Sequence, residues 1–448
     1  MSNQAAPKSV CVVGLGYIGL PTASMFATNG YRVSGSPVHV HGVDINSKII
    51  ERLKKGIVHI KEPGLETVVK AAITSGNLDI GTKPVPSDVF IIAVPTPHHE
   101  EPGQAPTADM RFVKSAMESI LPHLRKGNLV ILESTSPPGT TEKLIIPMIK
   151  EAGFEPGKDI GVAYCPERVI PGKTMKELIS NDRIIGAISE PWAEMAKQLY
   201  RSFVSGEIFL TDPTTAEMVK LVENTYRDVN IAFANEIAML CEKLKISVWD
   251  VVQMANRHPR VNIHNPGPGV GGHCISVDPW FLVGDFPNDT PLVRTARETN
   301  DNMPNNVVKI IKNLLGGKTS GKIAILGIAY KANVDDKRQS PAVTIIEKLE
   351  KEFKSFELAV HDPHVPQEFY PKLETDIKKV LTGADLAVIL TGHDAYKNID
   401  PNDAAAVMKT RLIFDTHNIL KAQRWVPAGF TLKTLGNGGH SDKKVKTK

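Results

Sequence analysis

Gly14, Gly16 and Gly19 follow directly on the apolar, β-branched run at residues 10–13, and this is the feature that most restricts the fold. A short buried strand that breaks into Gly-x-Gly-x-x-Gly reads as strand, tight turn and helix start. Gly14 permits the turn, Gly16 lets the backbone approach a pyrophosphate, and Gly19 lets the helix pack on its strand; Tyr17 and Ile18 complete the turn. Unpaired N–H groups and the positive end of the helix dipole then favour phosphate at that point. The second strand of such a unit ends in an acid that takes the ribose hydroxyls. Asp44 after Val43 fits, and its carboxylate repels a 2′-phosphate and so selects NAD. Gly19 to Asp44 is 25 residues, and residues 34–41 read as a local insertion that obscures where the second strand starts. A glycine turn with no cofactor is the plain alternative.

Further apolar runs at 88–94 and 129–132 are separated by helix-period stretches such as 110–124, the pattern of a doubly wound parallel sheet. The texture changes near Thr214. Met218, Leu221, Val222, Val229, Phe233, Ile237 and Leu240 recur at helical spacing, and no Pro or Gly occurs from 214 to 245, which predicts one long helix. Thr214-x-x-Glu217 reads as a capping box at its start. A Gly/Pro-rich stretch at 265–278 interrupts the helical middle. Alternation restarts at Lys322, with strands expected at 322–326, 358–360, 386–390 and 412–414 and a helix at 340–353. The expected fold class is therefore α/β: two Rossmann-like doubly wound parallel-sheet domains joined by a central helical domain. The divisions fall at 1–205, 206–315 and 316–435, with 436–448 a disordered, lysine-bearing tail.

The 448 residues carry a net charge of only +4, which gives no sign of a nucleic-acid partner. No run approaches the ~20 apolar residues of a membrane span, and residues 1–8 lack the apolar segment of a signal peptide. Cys11, Cys165, Cys241 and Cys274 are widely spread without a CxxC pair, so neither a disulfide framework nor a zinc site is indicated and no metal is expected. A reducing cytoplasm fits.

The Gly/Pro-rich stretch ends in Gly271-Gly-His-Cys274, with Asp278 four residues on. A thiol delivered by an irregular loop beside an acid suits nucleophilic catalysis; a small buried cysteine is the bland alternative. Lys220 and Asn224 are four apart and share one face of the long helix, where two donors could stabilise an oxyanion or simply form a solvated face. Glu167 follows a strand at 160–163, where doubly wound sheets place their ligands; an exposed structural acid is the alternative.

Taken together, the stretches at 14–22, 93–97, 132–136, 227–236, 256–262 and 271–280 resemble the nucleotide-sugar 6-dehydrogenases, the UDP-glucose and GDP-mannose dehydrogenase family, over residues 10–418. Asn256-Arg-His-Pro-Arg-Val-Asn262 favours the branch that acts on UDP-N-acetyl-D-mannosamine. The resemblance implies an NAD domain (1–205), a helical dimerisation domain (206–315) and a nucleotide-sugar domain (316–435). It implies an NAD-dependent, four-electron oxidation of a UDP-sugar C6 alcohol with Cys274 as nucleophile. By the same resemblance Lys220 and Asn224 stabilise the oxyanion, Asp278 supports the water, Glu167 is the acid/base, and Thr135 lies near the nicotinamide. Pro95, Thr96 and Arg338 join the cofactor set. Arg168, Gly271 and Lys331 join the sugar set, and Arg260 reaches the neighbouring subunit of a homodimer. Two departures stand out: Gln339 replaces a usual glutamate after Arg338, and Pro171-Gly172 occupy the place of a second glutamate. Oxidation of UDP-N-acetylglucosamine or UDP-glucose, a single-step hydroxyacid dehydrogenase, and a non-catalytic nucleotide-sugar-binding protein remain open alternatives.

Overall fold

The computed structural model describes residues 7–30, 35, 38–99, 101, 103 and 105–439. The chain divides into two compact units, Met1–Glu223 with Trp280–Pro287, and Asn224–Pro279 with Asn288–Lys448.

The first unit is built on an eight-stranded sheet. Its strands are β1 (Ser9–Val13), β2 (His39–Val43), β3 (Leu78–Gly81), β4 (Val89–Ile92), β7 (Leu129–Leu132), β8 (Gly161–Tyr164), β9 (Arg183–Ala187) and β10 (Ile208–Thr211); β5 (His98–His99) and β6 (Thr107–Ala108) form a separate small hairpin. The spatial order is β10-β9-β8-β7-β4-β1-β2-β3. Neighbours are parallel except β8 and β9, which pair antiparallel and turn the last two strands against the rest. This modifies the all-parallel expectation at one edge only. The chain reverses its direction of winding between β1 and β4, the position at which such sheets bind ligands.

Alternation along β1 explains why the sheet is covered on both sides. Val10 and Val12 pack with Leu20, Ala23 and Phe26 in one apolar layer. Cys11 and Val13 point the other way, to Val113, Met117, Ile120 and Ile145. Each fully buried aliphatic side chain contributes about 1.5–3 kcal/mol relative to exposure, so a parallel sheet of such strands is stable only between two layers of helices. Phe26 extends the first layer by ring contacts of 5.0 Å to Phe203 and 5.4 Å to Tyr200.

The insertion expected at 34–41 lies partly outside the described residues, but its end is resolved: β2 begins at His39, and Val38 packs over Gly30. His39 to His41 are therefore strand rather than turn.

The long helix spans Pro213–Leu244, as the absence of Pro and Gly predicted. Its start differs from the expected capping box. Asp212 caps the first turn, accepting from Thr215 N–H at 2.8 Å and Thr215 Oγ1 at 2.6 Å. Glu217 instead turns inward to accept from the backbone and hydroxyl of Thr141 at 2.8 and 2.6 Å. A buried N–H needs a partner as much as a helix end does, and the Thr141 turn has the stronger claim. The helix ends where Lys245 adopts a left-handed conformation at φ 58°.

The second unit carries a five-stranded parallel sheet of β11 (Gly321–Leu326), β12 (Phe356–His361), β13 (Leu386–Ile389), β14 (Leu412–Asp415) and β15 (Thr431–Thr434), in the order β12-β11-β13-β14-β15. Its reversal point lies between β11 and β13. Residues 436–438, expected to belong to the tail, are tied down: Gly436 N–H donates to Glu242 Oε1 at 3.0 Å, and Gly438 N–H to Ile246 O at 3.1 Å. The remainder of the expected tail, 440–448, lies outside the described residues.

Candidate active site

The glycine turn is shaped for a close-lying group. Gly14 has φ 101°, and a β-carbon there would stand 2.5 Å from Ala93 O; one on Gly19 would stand 1.8 Å from Gly14 O. A β-carbon on Gly16, by contrast, would meet nothing within 4 Å. Two of the glycines are thus required by packing, and the third keeps a space open in front of the helix Gly19–Asn29. Asp44 ends β2 beside this turn, with Oδ2 accepting from Leu15 N–H at 3.1 Å and Oδ1 from Asn46 N–H at 2.9 Å. Open backbone for a pyrophosphate and a carboxylate for a ribose fit a dinucleotide. Pro95 and Thr96 leave the carboxyl end of β4, and Thr135 that of β7, so all three stand at the edge where the sheet reverses.

Glu167 follows β8 at the same edge. It is buried rather than the exposed acid that the sequence left open. Its Oε2 lies 3.4 Å from Arg183 Nη2, and its backbone carbonyl accepts from Lys220 Nζ at 2.7 Å. Lys220 is also buried, with its ammonium directed at the Glu167 loop. Arg168 is committed elsewhere: its guanidinium pairs with Glu223, donating from Nε at 2.9 Å, and donates from Nη1 to Asp182 O at 2.9 Å. Arg168 therefore fastens the loop that carries Glu167.

In the second unit Cys274 sits at the end of the irregular stretch, and its carbonyl accepts from Val277 and Asp278 N–H at 3.1 and 2.8 Å, which starts the helix Asp278–Asp285. Asn224 Nδ2 donates to Asp278 Oδ2 at 2.6 Å, and both side chains are buried while Cys274 is exposed. Gly271 and Gly272 have no room for a side chain: a β-carbon would lie 2.6 Å from Gln339 O in the first case and 2.7 Å from the Tyr330 ring in the second.

A buried polar network holds this loop at two points, and its members were not singled out from sequence. Asn235 Oδ1 accepts from Gly267 N–H at 2.9 Å, and Asn235 Nδ2 donates to Asn300 Oδ1 at 2.9 Å. Asn300 Nδ2 donates to Asp228 Oδ1 at 2.8 Å. Arg297 pairs with Asp228 and reaches Ile275 O at 3.4 Å. Burial outweighs Arg297 and pushes the Asp228 carboxyl up to about 6. Polar residues on the apolar faces of two long helices were the available signal.

Lys331 lies in the loop after β11, at the second sheet's reversal point. Asp362 Oδ2 accepts from Ile328 and Ala329 N–H at 2.8 and 3.0 Å and from His393 Nε2 at 3.0 Å; Asn333 N–H donates to His393 Nδ1 at 2.9 Å. The loop is thereby anchored from both ends. Arg338, expected to face the cofactor, pairs with Asp336 at 2.6 Å, and its carbonyl accepts from Gly272 N–H at 3.3 Å. Arg260 is exposed.

Of the four cysteines, Cys11, Cys165 and Cys241 are buried. Burial pushes Cys11 and Cys165 up to about 11 and raises Cys241 as well, which leaves them poor nucleophiles. Cys274 is the exposed one.

Known proteins give independent bearings. Residues 8–204 match the NAD binding domain of the UDP-glucose/GDP-mannose dehydrogenase family, 214–302 its central domain and 324–422 its UDP binding domain. A UDP-N-acetyl-D-mannosamine dehydrogenase of Methanococcus maripaludis is 49% identical over 436 residues, covering 96% of this chain and 97% of that one. The enzyme of that name from Methanocaldococcus jannaschii is 50% identical over 434 residues, with the same coverage. The solved structure of a UDP-D-ManNAc dehydrogenase from Pyrococcus horikoshii superposes with a TM-score of 0.88 at 41% identity, over 96% of this chain and all of that one.

Proposed function

Because the chain belongs to the UDP-glucose/GDP-mannose dehydrogenase family, we propose that it oxidises the C6 alcohol of UDP-N-acetyl-D-mannosamine to the carboxylate of UDP-N-acetyl-D-mannosaminuronate, at the expense of two NAD, through a covalent bond to Cys274. The observation that carries this reading is the Cys274 loop. The exposed thiol stands there one helical turn before a buried Asp278 held by Asn224.

NAD accepts the electrons of both oxidations, and Gly14, Gly16, Gly19 and Asp44 are the residues that fit it. The chain's own residues do the rest. The Cys274 sulfur adds to the C6 aldehyde formed in the first oxidation, giving a thiohemiacetal. The second oxidation makes this a thioester. Water then bonds to the thioester carbon, the C–S bond breaks, and the uronate leaves. Lys220 and Asn224 stabilise the charge on the C6 oxygen; an ammonium has three donors and an amide two, so their bonds to Glu167 O and Asp278 leave donors for substrate. Glu167 and Asp278 handle the water's proton, and Thr135 stands near it. Lys331 and Gly271 contribute to the sugar-nucleotide site. Arg168 acts through the Glu167 loop, and Arg338 through its carbonyl on Gly272.

The protein works as a homodimer in this reading. Met218, Val222, Tyr226, Phe233, Leu240 and Leu244 form an exposed apolar stripe along the long helix, with Tyr226 60% and Phe233 52% accessible. A stripe of this kind marks an interaction surface, and exposed Arg260 is suited to serve the neighbouring subunit. Four widely spread cysteines without a CxxC pair and a need for NAD fit a reducing compartment, and no helix among the described residues is long and apolar enough to cross a membrane.

The test is the yield of NADH per sugar with UDP-N-acetylmannosamine, UDP-N-acetylglucosamine and UDP-glucose side by side. Two NADH per sugar from the mannosamine compound alone is expected. One NADH removes the thioester step, and none with any of the three removes the catalytic reading. Cys274→Ser is expected to lose net uronate production while still binding the UDP-sugar; normal turnover by that variant sinks covalent catalysis.

A further inference from the structure

Behind the Glu167 loop, the first unit buries a set of charges that the proposed reaction does not use. Arg183 on β9 is 4% exposed and faces two carboxylates, Glu167 at 3.4 Å and Glu133 at 3.8 Å. Its guanidinium also lies 4.7 Å over the Tyr200 ring and 3.6 Å from Cys165 Sγ. Tyr200 donates its hydroxyl to Glu133 Oε1 at 2.5 Å, while Glu133 Oε2 and Arg183 Nε are buried with no partner. Glu167 Oε1 accepts from the Arg168 N–H at 2.5 Å.

Five elements supply its members. Glu133 comes from the end of β7, and Cys165 and Glu167 from the end of β8. Arg183 comes from β9, Tyr200 from the helix Glu190–Tyr200, and the Thr22 hydroxyl from the helix Gly19–Asn29. Lys220 touches the set only through the Glu167 carbonyl. Two carboxylates against one guanidinium leave one negative charge in excess. In a buried site such an excess is strongly disfavoured, and a single proton removes it.

We propose that Glu133 and Arg183 are positioning residues for Glu167, a buried carboxylate–guanidinium–carboxylate relay in which Glu133 competes for the Arg183 charge and so governs the ion pair that holds Glu167 in the hydrolytic step. The proposal rests on the assignment of Glu167 as acid/base above. With the shared proton on Glu133, Arg183 is left to pair with Glu167. The water oxygen then bonds to the thioester carbon, its proton passes to Glu167 and on to solvent, and the Cys274 sulfur leaves as thiolate. The raised proton affinity of Glu133, about 7 by burial despite Arg183, suits this arrangement near neutral pH.

The experiment follows the rate of uronate release against pH in a single turnover with UDP-N-acetylmannosamine and NAD, for the parent and for Glu133→Gln, Arg183→Gln, Arg183→Lys and Glu167→Gln. Glutamine at 133 keeps an acceptor for Tyr200 and removes the competing charge. Glutamine at 133 mimics the protonated carboxyl, so the parent profile is expected to carry a second inflection where Glu133 ionises that Glu133→Gln lacks, while the acidic limb rises by about half a pH unit or more in Arg183→Gln. Arg183→Lys is expected to move that limb back toward the parent. A purely structural role lowers rates without changing the shape of the profile. A limb that disappears in Glu167→Gln, with a profile in Glu133→Gln of the parent's shape, overturns the relay and leaves the acid/base assignment standing. A limb that survives Glu167→Gln overturns the assignment, and the relay with it. If Arg183→Gln does not fold, Glu133→Gln and Arg183→Lys decide the matter by themselves.

Discussion

A methyl group at Gly16 and one at Gly19 meet opposite surroundings, although the two glycines share a turn. At Gly16 the added carbon enters open space; at Gly19 it stands 1.8 Å from a backbone oxygen. Gly19→Ala is therefore expected to cost about 3 kcal/mol of stability through overpacking. Gly16→Ala is expected to melt like the parent but to bind NAD more weakly, since the new carbon takes the space proposed for the pyrophosphate. Thermal melts and calorimetric NAD titrations of the two variants separate these outcomes. Glu133 adds a pH dependence. Its carboxyl is raised from 4.5 to about 7, so the folded state holds the proton more tightly than the unfolded one. The stability it contributes is fully present below about pH 4.5 and is lost as pH rises through 7. The loss is about 3 kcal/mol. Glu133→Gln is expected to gain on the parent across that window in chemical denaturation, with the difference level above pH 8; a constant difference from pH 5 to 9 contradicts the assignment.

Two helices, Pro213–Leu244 and Pro291–Leu315, carry the network that fixes the Cys274 loop. Asn235 is its most informative member, because it joins Gly267 N–H to Asn300. Asn235→Ala leaves a buried N–H and an amide oxygen without partners, which costs about 2–4 kcal/mol. It also frees one end of the stretch that ends in Cys274. The expected result is a lower Tm and a kcat reduced about tenfold or more with an unchanged KM for NAD, because the glycine turn proposed to hold NAD belongs to the other unit. A fall in Tm with kcat intact would show that the loop is held without Asn235.

At the scale of the molecule, the apolar stripe on the long helix calls for a covering surface. Phe233 is 52% exposed near its middle. Phe233→Glu is expected to halve the mass seen by sedimentation at micromolar concentration and to weaken UDP-sugar binding if Arg260 serves the neighbouring subunit. NAD binding is expected to persist. A parent protein that sediments as a monomer removes the dimer from the proposal.

The sequence by itself determined the parts that depend on local pattern. The run at 10–13 with its glycines, the central strands β4, β7 and β8 of the first sheet, β11 to β14 of the second, the long helix without Pro or Gly and the irregular stretch before Cys274 were legible, whereas β3, β9, β10 and β15 were not. Periodicity and backbone-breaking residues act over a few neighbours, and the local chain records them directly. What depends on meeting a distant residue was not legible. Thr214 and Glu217 spelled a capping box, yet Glu217 turned to Thr141, 76 residues away, because a buried backbone donor lay there. Glu167 read as exposed or functional with equal ease, and only the approach of Arg183 shows it buried and charge-paired. The antiparallel turn of β9 and the polar network under Cys274 likewise join residues that no short window contains. Burial and charge pairing are properties of the assembled neighbourhood, so the tertiary structure alone decided them.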